Sequence, residues 1–177
     1  MAIKITFLGA GSSVFVRNVL GDCIIHPELE DLTFALYDID AQRLEDSYLM
    51  LHAICAHYGK SVKMEKYVGV EELPQALTGA NFLICAVQVG GYDPCTISDF
   101  EIPKKYGLRQ TIADTLGVGG VFRALRTIPV MEMFGKMAEK YCPNAVFLNY
   151  SNPMGMLSGY MERYCNIQFV GLCHSVQ

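Results

Sequence analysis

Six short runs of apolar, β-branched and aromatic residues punctuate the chain, and helix-length segments separate most of them. The runs are "IKITFLG" (3–9), "LTFALYD" (32–38), "VKMEKYV" (62–68), "NFLICAV" (81–87), "AVFLNY" (145–150) and "IQFVGLC" (167–173). The first alternates poorly between apolar and polar residues, as a strand buried on both faces does. Between the runs, "VFVRNVLGDCII" fits a helix. Residues 41–59 form an amphipathic stretch in which Leu44, Tyr48, Leu51 and Cys55 share one face and Gly59 offers a C-cap. "EELPQALTGA" reads as a short helical stretch broken by proline. "GVFRALRTIPVMEMFGKMAEKYCP" predicts a long helix kinked near Pro129, and "NPMGMLSGYMERYC" a helix with Pro153 near its first turn. Residues 89–119 read as a polar stretch punctuated by glycine and proline. Parallel strands need crossover connections, and helices are the usual ones. The expected architecture is therefore α/β: a doubly wound, parallel, Rossmann-like sheet with helices on both faces, one domain over residues 1–177. In such a fold ligands bind beyond the carboxyl ends of the strands.

Composition narrows the partners. A net charge of −4, from 14 Lys+Arg against 18 Asp+Glu, gives no electrostatic footprint for nucleic acid or an anionic membrane. No apolar run approaches the ~18 residues of a spanning helix. The seven cysteines are odd in number, scattered and without a CxxC pair, which argues against a disulfide framework or a structural zinc site. A reducing, cytoplasmic setting is expected.

Polar motifs fall at the predicted strand ends. "FLGAGSS" places Gly9 and Gly11 between the first strand and the first helix, where glycines let the backbone approach a pyrophosphate held at the helix N-terminus. The third glycine of the dinucleotide fingerprint is replaced by Val14. "ALYDID" puts Asp38 at the end of the second strand, where a carboxylate can accept from ribose hydroxyls and repel a 2′-phosphate. The bland alternative is that Asp38 or Asp40 caps the next helix. "LNYSNPMG" offers Asn149 and Asn152 as substrate or cofactor contacts, against an ordinary Asn-Pro turn. "RQTIADTLGVGG" offers Asp114 as a catalytic residue facing the cleft, against a flexible loop. "GLCHS" offers Cys173 as a metal-bound thiolate and His174 as a general acid, against an incidental pair.

Taken in order, "ITFLGAGSSVFVRNVLGD", "LYDIDAQRLEDS", "VQVGGYDPCTISDFEIPKKYG", "TIADTLGVGG", "RALRTIP", "LNYSNPMGM" and "VGLCHSVQ" resemble the NAD-dependent glycoside hydrolases of family 4, most of all their α-galactosidase branch. The resemblance implies that bound NAD oxidises the sugar at carbon 3, a base takes the proton from carbon 2, and the leaving group departs by elimination. Water then adds and the hydride returns. A divalent metal, usually manganese, stabilises the enediolate. Carried over, Gly9, Gly11, Ser12 and Asp38 look like NAD contacts, Asn149 and Asn152 like substrate contacts, Cys173 like a metal ligand and His174 like the acid. The resemblance also implies a small-molecule sugar as partner, a homo-oligomer when full length, and a chain that corresponds to the N-terminal, nucleotide-binding part. The second metal ligand and the base are then expected beyond residue 177, and the chain alone is expected to be inactive. "GGYDPCTISDFEIP" lacks the arginine that clamps phosphate in branches acting on sugar 6-phosphates, so an unphosphorylated α-linked sugar is expected. Galactoside leads, with glucoside and galacturonide open. The rival reading is a lactate- or malate-type dehydrogenase, in which Arg123 and Arg126 would bind a 2-oxo acid.

Overall fold

The computed structural model describes residues 2–111 and 115–173. The first strand, β1 (Ile3–Leu8), runs into helix α1 (Ser13–Ile25). β2 (Leu32–Asp38) and α2 (Ala41–Tyr58) follow, then β3 (Lys63–Val68), a single 3₁₀ turn (Val70–Glu72), the short α3 (Leu73–Leu77) and β4 (Phe82–Cys85). A π-type turn (Gly91–Thr96) leads into α4 (Ile97–Lys105). The long α5 (Gly117–Tyr141), β5 (Val146–Asn149), α6 (Met154–Tyr164) and β6 (Gln168–Gly171) complete the order. The strands form one parallel sheet in the order β3-β2-β1-β4-β5-β6. The doubly wound α/β expectation is met, and the order reverses between β1 and β4.

Side-chain alternation along the central strands divides the core. Ile5 and Phe7 of β1, with Phe34 and Leu36 of β2, meet Val16, Leu20 and Ile24 of α1 and Leu44, Leu51 and Cys55 of α2. Leu8 and Tyr37, one residue out of phase, face the other side, with Leu77 of α3, Met131 and Phe134 of α5 and Leu157 of α6. Each fully buried side chain such as Phe7 contributes about 2–3 kcal/mol. The outer strands are not covered in this way. β3 is half-exposed and carries Lys63, Glu65 and Lys66, charges that discourage edge-to-edge pairing.

Local signals account for several element ends. Asp40 accepts from the backbone N–H groups of Gln42 and Arg43 and caps α2. Gly59 ends α2 at φ +61. Pro74 does not break α3; it sits in the first turn, where its missing N–H is harmless. α5 spans Pro129 as one helix, and Met131, Phe134 and Ala138 beyond it are buried. The stretch from 89 is also more ordered than its composition predicts. It holds α4, which packs on α5, and buries Asp99 and Thr96.

Buried thiols give the fold a pH signature. Burial pushes the Cys85 thiol up to about 11 and does the same to Cys142, also to about 11. A raised pKa means the folded chain holds its proton where the unfolded chain has lost it. Stability is then full below about pH 9 and is lost as pH rises toward 11. The midpoint of urea unfolding is expected to fall across that window, and to fall less steeply in Cys142→Ala.

Candidate nucleotide and sugar site

A cleft of 1160 Å³ opens at the carboxyl ends of β1, β2, β4 and β5, lined among others by Gly9, Ser12, Asp38, Gln88, Ser151 and Asn152. Its floor is the β1–α1 turn. The Gly9 and Ala10 N–H groups both donate to the Tyr37 carbonyl at 2.9 Å, which ties the turn to the end of β2. Gly9 has φ +91, and a Cβ there would lie 2.9 Å from the Ala86 carbonyl oxygen. Only glycine lets the turn after β1 pass this close to the chain leaving β4.

Asp38 does not cap α2; Asp40 does. The Asp38 carboxylate accepts from the Gly11 N–H at 2.6 Å and from the Asp40 N–H at 3.0 Å. A Cβ on Gly11 would lie 2.8 Å from Asp38 Oδ2, so the second glycine is what lets the carboxylate close on the turn. Gly11 therefore acts on the cleft through Asp38, and it is not itself part of the lining. Val14, at the missing third glycine, is 60% exposed, so nothing packs there that would demand a glycine. Ser12 precedes α1 without making a side-chain cap, which leaves its hydroxyl and the helix N-terminus to the cleft. A helix end in that state is an anion site by its N–H groups and dipole.

The two asparagines part company. Asn152 lines the cleft. Asn149 is fully buried, and its amide is spent on the backbone of Ser151: Nδ2 donates to the carbonyl and Oδ1 accepts from the N–H, both at 3.0 Å. In this geometry the Asn149 amide is turned to the Ser151 backbone. Its amide shapes the turn that presents Ser151 and Asn152. Ser151 in turn accepts from the Val87 N–H at 2.9 Å, joining the ends of β4 and β5. Periodicity carries no sign of Ser151, a serine inside an Asn-Pro turn.

The dehydrogenase reading needs Arg126 as an anion ligand. Its guanidinium instead grips Asp99 with two bonds, 3.2 and 2.6 Å, and donates to the Val89 carbonyl at 3.0 Å. This pins α4 and the π-type turn onto α5, and Gln88 Nε2 adds a bond to Thr96 Oγ1. Asp99 holds Arg126 firmly protonated, its pKa pushed up by that carboxylate. Arg123 is also buried and lines the cleft.

Cys173 follows β6, beside the end of β5, where the Leu172 N–H donates to the Asn149 carbonyl. It is half-buried and outside any disulfide. His174 and Asp114 lie outside the described residues. Among the described residues no three His, Cys, Asp or Glu side chains converge on a metal position. One thiol falls short of the several donors a divalent ion takes.

The family 4 glycosyl hydrolase model matches residues 4–177. The chain belongs to family 4 of the glycosyl hydrolases. It is 56% identical over 174 residues to an alpha-galactosidase of Bacillus subtilis, covering 98% of this chain and 40% of that enzyme. It is 34% identical over 176 residues to an alpha-galacturonidase of Thermoanaerobacter italicus, covering 98% of this chain and 37% of the other. The chain thus spans about two-fifths of the length of the curated relatives it matches. Among solved structures, the family's 6-phospho-beta glucosidase from Thermotoga maritima, determined with manganese, NAD+ and glucose-6-phosphate, superposes with a TM-score of 0.83 at 27% identity. That match covers 97% of this chain and 40% of that one. Family 4 membership sets aside the 2-hydroxy acid dehydrogenase reading, and the Asp99 pairing removes one of the arginines that reading needed.

Proposed function

We propose that these residues are the nucleotide-binding part of an NAD-dependent glycosidase that hydrolyses α-galactosides. The observation that carries the reading is the cradle of Gly9, Ser12 and Asp38 beside the uncapped start of α1, at the strand ends where the sheet order reverses. A dinucleotide suits it. The α1 N-terminus and Ser12 would take the pyrophosphate, and Asp38, already oriented by two backbone N–H groups, has acceptor capacity left for ribose hydroxyls. When bound, the nicotinamide supplies a reversible hydride acceptor. Ser151 and Asn152, held by Asn149, would then orient the group at the end of β5. Cys173 and His174 are proposed to serve the metal and the leaving group, with further ligands and the base supplied from elsewhere in the enzyme.

The preference for an unphosphorylated sugar rests on charge. The segment 90–103 contains no Arg or Lys, and the cation that reaches it, Arg126, is neutralised by Asp99. The identity to the alpha-galactosidase supports galactoside over galacturonide. Seven cysteines outside any disulfide suit a reducing cytoplasm, and a homo-oligomer is proposed for the full-length enzyme. Among the described residues no helix is long and apolar enough to cross a membrane.

Calorimetric titration tests the cradle. NAD is expected to bind at least tenfold more tightly than NADP, because a 2′-phosphate would meet the Asp38 carboxylate. Asp38→Ala should narrow that ratio while weakening NAD. Equal binding of the two by the unsubstituted chain would overturn the role of Asp38. The enzyme carrying these residues should release nitrophenol from a nitrophenyl α-galactoside only when NAD is supplied; NAD-independent turnover would sink the proposal.

A further inference from the structure

Two strands over from Asp38, the cleft is bounded by the π-type turn that follows β4, with Gly90, Gly91, Tyr92, Thr96 and Phe100 among its lining. The turn is braced on several sides. Arg126 Nε donates to the Val89 carbonyl at 3.0 Å, the Gly91 N–H to the Gln88 carbonyl at 3.2 Å, and Thr96 Oγ1 to the Gly91 carbonyl at 3.3 Å. Gly90 has φ +82, and a Cβ there would press on Cys95 and lie 3.1 Å from Arg126 Cδ. The braced turn presents an aromatic ring. Six aromatic side chains line the cleft, and five of them, Phe15, Tyr37, Phe100, Phe134 and Tyr150, are buried or half-buried. Tyr92 is 70% exposed. A ring held out at the mouth of a cleft keeps apolar surface in water until something flat covers it. The residues from 90 to 103 include no Arg or Lys, and Asp93 beside the ring is exposed, so the group that fits here is not an anion.

Resting on the glycosidase reading above, we infer that Tyr92 is the platform for the leaving group: its ring stacks on a neutral sugar attached to carbon 1 of the galactoside. The substrate class is then α-galactosyl oligosaccharides. The reacting galactose has to sit inside the cleft, where it meets the nicotinamide and is shielded from water. The part that departs extends from carbon 1 toward the mouth. A sugar ring carries C–H groups on its faces and hydroxyls around its rim. It can lay a face on an aromatic ring while its hydroxyls stay hydrated, which suits a side chain as open as Tyr92. Such a contact is present in the bound substrate and in the transition state alike, so it lowers KM and leaves kcat unchanged.

Two substrates with the same reacting galactose test this in the NAD-supplied enzyme that carries these residues. One is galactose α-linked to glucose, and the other is methyl α-galactoside, whose leaving group has no face to stack. Tyr92→Ala should raise KM for the disaccharide by roughly tenfold and leave kcat as it was. KM for the methyl galactoside, and the dissociation constant of NAD, should stay within about twofold of the parent. Tyr92→Phe and Tyr92→Trp should restore the disaccharide KM, because the ring face makes the contact. An equal rise for both galactosides would place the ring on the reacting sugar and overturn the inference. A rise in the NAD dissociation constant would place it on the cofactor, and unchanged KM values would leave it without a substrate role; either result also overturns it. A parent enzyme that cleaves neither galactoside with NAD overturns the glycosidase reading, whereas NAD-dependent cleavage indifferent to Tyr92→Ala overturns this inference alone.

Discussion

Gly9→Ala is expected to cost about 3 kcal/mol of folding stability and to weaken NAD binding by at least tenfold. Two effects add. At φ +91 an L-residue is strained by about 1–2 kcal/mol, and its methyl would press on the Ala86 carbonyl oxygen and on Val87 Cγ1, both 2.9 Å away. Neither neighbour can retreat cheaply. The Ala86 N–H donates to the Leu8 carbonyl, and the Gly9 and Ala10 N–H groups both hold the Tyr37 carbonyl, so relief would pull β1 away from β2 or β4. Gly59→Ala is the control. Gly59 has φ +61 with nothing within 4 Å, so it should cost only the strain, about 1 kcal/mol. Urea unfolding of the two variants measures the difference. Equal costs would mean that the turn yields freely and that close approach of the strands is not what fixes the cradle.

Arg126→Met should destabilise the chain by about 2–3 kcal/mol, toward the lower end for a broken buried pair because the arginine side is partly exposed to solvent. The loss comes from Asp99, 1% exposed, left with its charge and no cation. The Val89 carbonyl loses its donor in the same substitution. Hydrogen exchange should rise across the π-type turn and α4, the segment that Arg126 fastens to α5. The double substitution Arg126→Met with Asp99→Leu should recover most of the stability, since an apolar pair removes the stranded charge. A single variant that melts with the parent, or a double variant no better than the single, would refute the buried-charge account.

These two predictions concern residues that the sequence presented unequally. Gly9 was readable: a glycine directly after a buried strand and before a helix signals a turn that needs its conformation. Arg126 was not. Its partner lies 27 positions away in a stretch whose Gly and Pro content masks a helix. The same limit explains Asn149. Its place at the end of β5 followed from the apolar run before it, but whether its amide faced the cleft or the chain depended on Ser151 folding back onto it.

The sequence by itself determined the layers, the six parallel strands and the placing of Gly9, Asp38, Asn152 and Cys173 at or just beyond strand or turn ends. Those follow from periodicities of a few residues, and such periodicities are set by backbone geometry alone. Only the tertiary structure decided which polar groups at those ends are free for a ligand. Gly11 became the anchor of Asp38, Asn149 the brace of Ser151, and Arg126 the partner of Asp99, while Ser12 and Asn152 were left to the cleft. The physical reason is that a polar side chain takes whichever partner the packed strands and helices bring within about 3 Å, and that choice is made between segments far apart in the chain.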